Sequence, residues 1–433
     1  MMATKKSPKF WIALIIFSLV GQVAWVVENM YLNVFIYKMF AASAQQISLM
    51  VGASSVAATV TTLLIGALSD KLGKRKIFIC GGYLCWGVSI ICFGLIRTDV
   101  LGKIIPATVS VASAGVALVI ALDCIMTFFG SAANDACFNA WLTDSTDETN
   151  RGAAEGINAM MPLMAILAVF GGFMGLDQNL PQSWTVIFSV IGGIVLILGA
   201  VGFFLIQEPK VDTAENQKYF ANLLYGFRPS VIKANPRLYL TLLTYAVFGI
   251  SINIFMPYLI LYYEKSLGMS DYVFVFAPAI ILAAAFTAVY GRVYDRHGFA
   301  TSAFPSLLLL IAGYVLLYFF RHSVLVFIGT VLMLCGYLSG MAVFGAMIRD
   351  NTPENKAGMF QGQRIVCQVL LPGIIGPAIG AAVLQNAQTI TDSDGRAVFL
   401  PNANIFLAAL VAAVLIFVAM IPLLNNLKKQ KKG

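Results

Sequence analysis

The sequence predicts an all-α polytopic membrane protein, with twelve transmembrane helices in two pseudo-symmetric six-helix bundles. Three observations carry this. Of 433 residues, 59% are hydrophobic and only 11% charged, where a soluble domain carries about 25% charged residues. The apolar residues gather in twelve runs, each long enough to cross ~30 Å of hydrocarbon at about 1.5 Å per residue. Two loop patterns of the first half return in the second. With a mean hydropathy of +0.85, charges are too few to cover a soluble surface. An ordinary soluble enzyme, a nucleic-acid binder and a disordered chain are therefore excluded.

The first six runs cover roughly 10–37, 46–69, 77–97, 113–142, 153–176 and 184–207. The second six cover roughly 237–263, 270–291, 302–320, 324–348, 358–384 and 403–425. Gly and Pro inside them are tolerated by membrane helices. The first run is too long for a cleavable signal, and no small-residue cleavage site follows it. The longest polar interruption, 208–236, holds Glu208-Pro209-Lys210 and Phe227-Arg228-Pro229. It divides the chain into a bundle at 1–207, a cytoplasmic linker with room for a short amphipathic helix, and a bundle at 237–433.

Charge placement orients the spans. Of the 28 Lys and Arg, 21 fall in the two termini and the even-to-odd loops, and 6 in the opposite loops. Positive residues mark the cytoplasmic side, so both termini are expected in the cytoplasm, and the net charge of +8 belongs to membrane loops. The seven cysteines lie in apolar runs without a C-x-x-C pair and read as buried small hydrophobes. Two histidines, His297 and His322, leave no basis for a zinc site. The absence of any N-x-[ST] acceptor fits a bacterial cytoplasmic membrane better than a glycosylated surface.

The repeat is explicit. Gly66…Asp70-Lys71…Gly73-Lys74-Arg75 follows span 2, and Gly291…Asp295-Arg296…Gly298 follows span 8, at an offset of 225. After spans 4 and 10, Asp144…Glu155-Gly156 matches Asp350…Gln361-Gly362 at an offset of 206. Repeated halves build many transporters. On the 2–3 loop the chain resembles the major facilitator superfamily, over essentially its whole length. Within that superfamily it is most similar to the glycoside–pentoside–hexuronide:cation symporters and sucrose carriers. The segments concerned are Trp25-Val26-Val27-Glu28-Asn29, Asn134-Asp135 and Ile348-Arg349-Asp350. Those symporters place two aspartates one and two turns before the loop's first Gly. Thr62 and Ala58 stand there in this sequence, which shifts the expected coupling ion from sodium to a proton. The resemblance implies the superfamily's twelve-helix fold and alternating access.

The motif residues Gly66, Asp70, Gly73, Arg75, Asp295 and Arg296 form the expected conformational latch. Asp70 and Asp295 sit at helix ends beside cations, where they can pair with Arg or Lys or with a helix N-terminus. The alternative is that they only set topology. Ionisable groups inside spans cost roughly 2.5–3.5 kcal/mol on insertion scales and point to function. Glu28 lies beside the stripe Gln22, Trp25, Asn29, Asn33, where a carboxylate disfavoured in its charged form can carry a proton. In span 4, Asp123, Thr127, Gly130, Asn134 and Trp141 share a face at 100° per residue, with Asp135 a third of a turn away. Span 10 carries no carboxylate at the equivalent place. Trp25, Asn29, Asp123, Asn134, Asp135, Trp141 and Arg364 are therefore the expected substrate-binding residues. Glu28, Asp135 and Glu155 are the expected proton carriers. The alternatives are a carboxylate paired with a structural Arg, and polar contacts that only glue helices together. Arg364 keeps its charge and calls for an anionic partner such as Glu28, Asp135 or Glu155.

No phosphate loop, nucleophile pair or metal cluster is legible, so neither an ATPase nor another enzyme is expected, and no cofactor. The reading is a secondary transporter of a small glycoside or disaccharide, a proton symporter acting as a monomer in a lipid bilayer, with no nucleic-acid partner. The alternatives are a proton-coupled exporter of amphipathic drugs or lipids, or a non-transporting sensor on the same scaffold.

Overall fold

The computed structural model describes residues 6–106, 108, 110–147, 150–209, 225–352, 360–392 and 395–430. Among them, eleven helices are long and apolar enough to cross a membrane. The twelve runs give eleven helices because runs 8 and 9 are joined. Val273–Phe319 continues through the expected loop and breaks only at Gly298, with φ 75° and ψ −176°. Gly73, its repeat equivalent, also has a positive φ, 62°. A Cβ is disfavoured in that region, so both motif loops need glycine at this place.

The residues cluster into two compact units, Met1–Ala42 with Ala53–Phe220, and Ser43–Gly52 with Ala221–Gly433. In the first, span 1 runs from Pro8 to Phe40. The Ser7 hydroxyl accepts the Phe10 N–H at 3.3 Å and Pro8 stands in the first turn, a combination that starts helices. The span ends at Ala41, in the left-handed region. Spans 3 (Lys76–Phe93) and 6 (Pro181–Leu205) approach so closely that a Cβ on Gly87 would lie 2.5 Å from the Leu196 nitrogen. Span 4 runs from Val111 to Asp144, and span 5 from Arg151 to Phe173. Spans 1 and 4 each contain a π segment, Val27–Tyr31 and Ser131–Phe138.

In the second unit, Pro236–Ser266, Val273–Phe319, Ser323–Asn351, Gly362–Val383 and Asn404–Leu427 carry spans 7 to 12. Rings close part of its core. The Phe255 centroid lies 5.4 Å from Tyr314 and 5.6 Å from Phe406. Val411, Val414, Leu415 and Val418 stay exposed along span 12, the surface a lipid-facing helix presents.

Two expectations change. The chain is not wholly helical: Thr389–Thr391 pairs antiparallel with Ala397–Phe399 between spans 11 and 12. Short β-branched runs flank the turn sequence Asp392-Ser393-Asp394-Gly395 there, a hairpin signal inside a membrane-type sequence. The cysteines are all free, but only Cys80, Cys137 and Cys335 are buried and Cys85 is exposed. Cys85 shares its helix with the exposed Ile77 and Val88, so it belongs to an apolar outer face. Of the linker, 225–234 forms a 3₁₀ turn, Tyr225–Phe227, and a short helix, Pro229–Ala234. Residues 210–224 and the loop echo at 353–359 lie outside the described residues.

Candidate functional site

The first unit gathers three carboxylates from two spans. The π turn at Val27–Tyr31 is closed by the Leu32 N–H reaching back five residues to the Val27 carbonyl. A π turn takes up one more residue than an α turn and so slips the helical phase. Glu28 is thereby buried while Asn29 is exposed. The Thr127 hydroxyl donates to Glu28 Oε1 at 2.8 Å, and Glu28 Oε2 is buried with no partner. Asp123 and Asp135 both act electrostatically on Glu28. Asp123 is 1% exposed, with the Ser54 hydroxyl beside it and one carboxylate oxygen unpartnered. Asp135 is half-buried beside the Ser131 hydroxyl. Among the described residues, no Lys or Arg forms an ion pair with any of the three.

An aromatic and amide wall adjoins this group. Trp25 packs on Trp86 with centroids 5.0 Å apart, and Trp86 on Tyr83 at 5.4 Å. Asn134 donates to the Tyr83 hydroxyl at 3.3 Å, and that hydroxyl donates to the Phe17 carbonyl at 2.9 Å. Trp25 is half-exposed; its neighbour Trp86 is fully buried, with an unpartnered indole nitrogen. Tyr83 and Trp86 carry no charge and sit in an apolar run, so charge placement does not single them out. Their signal is a pair of polar-tipped aromatics three residues apart behind Gly81-Gly82.

Other expected residues lie elsewhere. The π segment at 131–138 slips the phase of span 4, so Trp141 does not continue the Asp123–Thr127 face. It is 2% exposed, its indole N–H donates to the Gln207 carbonyl at 2.9 Å, and Phe10 and Phe138 pack on it. It is a packing residue here. Asn29 spends its amide on the Trp25 carbonyl at 2.8 Å. Glu155 is exposed in span 5 and makes no bond with a described residue. Arg364 belongs to the second unit, half-buried near Tyr245, and its Nε has no partner.

The motif residues make a network inside the first unit. Arg75 pairs with Asp70 at 2.5 Å and Asp144 at 2.9 Å, and donates to the Ser69 hydroxyl at 2.5 Å. That hydroxyl in turn donates to the Gly66 carbonyl at 3.3 Å. Burial alone lowers the Arg75 guanidinium, but Asp70 and Asp144 outweigh it and raise it. The Glu208 carboxylate accepts the backbone N–H groups of Arg75 and Lys76, which caps the positive end of span 3. Asp144, Ser69 and Glu208 thus join the motif, tying the ends of spans 2, 3, 4 and 6. Asp295 and Arg296 do not repeat this: both are exposed and pair with no described residue. There the Tyr294 hydroxyl donates to Asp350 at 2.5 Å.

Comparison with known proteins agrees with this architecture. The sequence profile of the Major Facilitator Superfamily matches residues 10–370. No curated protein matches by sequence. Among solved structures, a mutant of the nucleoside transporter NupG aligns at 13% identity with TM-score 0.71, over 95% of this chain and 99% of that one. A bacterial homologue of the human lysosomal transporter Spinster aligns at 15% identity with TM-score 0.69, over 96% of each chain. The xylose transporter XylE from E. coli aligns at 12% identity with TM-score 0.66, over 96% of this chain and 99% of that one. Identities this low speak to fold alone. With the family match over most of the sequence, they agree with the bundle of apolar helices: the chain belongs to the Major Facilitator Superfamily and is a membrane transporter.

Proposed function

We propose that the chain is a secondary active transporter that moves a small glycoside together with a proton by alternating access. The observation that carries this is the group Glu28, Asp123 and Asp135, with Thr127 donating to Glu28 at 2.8 Å and no described cation paired to it. Like charges gathered in apolar surroundings cannot all be held at once, and sharing protons relieves the repulsion. A group whose proton content changes with its exposure to water couples transport to a pH gradient. Thr62 and Ala58, in place of the symporters' aspartates, favour the proton over sodium.

The glycoside reading rests on the wall beside the carboxylates. The half-exposed Trp25 ring suits the C–H face of a sugar, and amides and carboxylates suit its hydroxyls. NupG is a nucleoside transporter and XylE a xylose transporter, so both solutes contain a pentose. The resemblance to the glycoside–pentoside–hexuronide symporters points the same way. The transporter works as a monomer in the cytoplasmic membrane of a bacterium, with both termini inside, and takes no cofactor.

The test is uptake into proteoliposomes from a panel of labelled glycosides, with imposed pH or sodium gradients. A pH gradient should drive accumulation of at least one glycoside, and a sodium gradient should not. Accumulation of none of them, with extrusion of a lipophilic cationic dye, would establish the exporter instead.

A further inference from the structure

A second polar site lies well away from the carboxylates in sequence. A cavity of about 550 Å³ opens in the second unit, where the 9–10 and 11–12 connections come together. Tyr318, Arg321, Asn386, Gln388, Asn402 and Asn404 contribute to its lining, which contains no carboxylate. Its size falls in the usual range of about 300–1,000 Å³ for small-molecule sites.

The lining is fixed from behind and unsatisfied in front. Arg321 Nη1 donates to the carbonyls of Leu317, Tyr318 and Phe320 at 3.1, 2.9 and 2.9 Å. Its guanidinium sits 5.9 Å from the centre of the Tyr262 ring. These contacts hold the group in place and leave Nε and Nη2 without a described acceptor. Asn402 Oδ1 accepts the Asn404 N–H at 3.0 Å, so its own N–H groups stay available. The hairpin sets the remaining wall: the Leu400 N–H donates to the Gln388 carbonyl at 2.7 Å. The Asn386 and Gln388 side chains are exposed and bond to no described residue. Within the hairpin, Arg396 pairs with Asp392 at 2.8 Å.

Exposed amides that make no protein bond offer a donor and an acceptor side by side. A sugar hydroxyl, which donates and accepts at once, matches them, and a lone fixed guanidinium adds donors only. The Tyr318 ring supplies a surface for C–H groups. A cationic ligand would meet Arg321 with no acid to balance it.

We propose that this cavity is a second glycoside-binding site, which captures the solute on the face of the second unit opposite the C-terminal end of span 12. It rests on the glycoside reading above. On the orientation expected from charge placement, that face is the outer one.

Saturation-transfer NMR on the full chain in nanodiscs tests it, with D-xylose, uridine and methyl β-D-galactopyranoside as probes. An Asp135→Ala background weakens the site at the carboxylate group. At least one probe should still receive signal in that background. Adding Asn386→Ala with Gln388→Ala should cut it about five-fold or more, as loss of two hydrogen bonds predicts, and Arg321→Gln should do the same. No signal in the Asp135→Ala protein, or a signal indifferent to the cavity substitutions, overturns the proposal. The Asn386 and Gln388 side chains bond to nothing described, so the double variant should melt as the parent does; a lowered melting temperature of that variant would instead assign them a structural role and also overturn the proposal. Failure of the transport reading shows separately, as no gradient-driven uptake of any panel sugar by the unaltered protein.

Discussion

Asp144 and Asp350 hold the same place in the internal repeat, yet different chemistry holds them. In the first unit Arg75 bridges Asp144 and Asp70 at 2.9 and 2.5 Å. In the second a neutral Tyr294 hydroxyl serves Asp350 at 2.5 Å, and the motif's own Asp295 and Arg296 stay exposed. The spans differ in the same sense. Asp135 corresponds by the 206 offset to Met341, which is 40% exposed, and Asp123 to Gly329. Nearby in the second unit stand stacked and tilted rings, Tyr245 on Phe248 at 5.9 Å and Phe248 on Phe344 at 5.4 Å. The second unit therefore closes with rings and with hydrogen bonds such as that of the Ser251 hydroxyl to the Ala409 carbonyl at 2.8 Å, and with no carboxylate at the places of Asp123 and Asp135. The buried acids of the first unit are not a requirement of folding, and this is the physical reason to look for function there.

The comparison can be broken most forcefully at the motif. Arg75→Ala leaves Asp70 and Asp144 facing each other without a cation. Breaking a buried pair from one side typically destabilises by roughly 3–5 kcal/mol, so a large drop in melting temperature in detergent is expected. Tyr294→Phe removes a single hydrogen bond to a charged group, about 1.5–3 kcal/mol, and should shift melting less. Equal shifts would mean that the two units are held alike after all.

The next largest effect concerns solute binding. Truncating a buried polar partner costs about 1–3 kcal/mol, so Asp135→Ala should weaken binding of the transported sugar roughly five- to a hundred-fold by calorimetric titration. Met341→Ala, its repeat partner, should change binding little. Similar losses in both would erase the asymmetry, and no loss in either would reduce the carboxylates to helix glue.

Glu28→Gln separates proton coupling from binding. One proton moving down a pH gradient of about one unit supports roughly tenfold accumulation of one solute. The variant should accumulate nothing beyond equilibration while still exchanging labelled for unlabelled solute across the liposome. Undiminished accumulation would remove Glu28 from the coupling.

The smallest effect sharpens the description of span 4. Trp141→Phe keeps the ring packing and loses the bond to the Gln207 carbonyl, worth about 1 kcal/mol. Melting should fall slightly, and the uptake KM should not move. A raised KM would return Trp141 to the solute.

The sequence by itself determined where the chain crosses the bilayer and that it is built twice. Those properties depend on composition over about twenty residues and on loop glycines that need positive φ, and both can be read in a linear window. It also singled out Glu28, Asp123, Asn134 and Asp135, because an ionisable or amide group in an apolar run is conspicuous without any partner. Only the tertiary structure decided which of these meet. The stripe through Asn29 and the face through Trp141 assumed an unbroken 3.6-residue period, and the π segments at 27–31 and 131–138 slip that phase. Such a segment persists where neighbouring helices reward the altered phase, here Thr127 for Glu28 and Tyr83 for Asn134. The same holds for Arg75, whose partners come from residues 70 and 144 at once. Contacts made across helices distant in sequence have no local signature, so phase and partnership were left to packing.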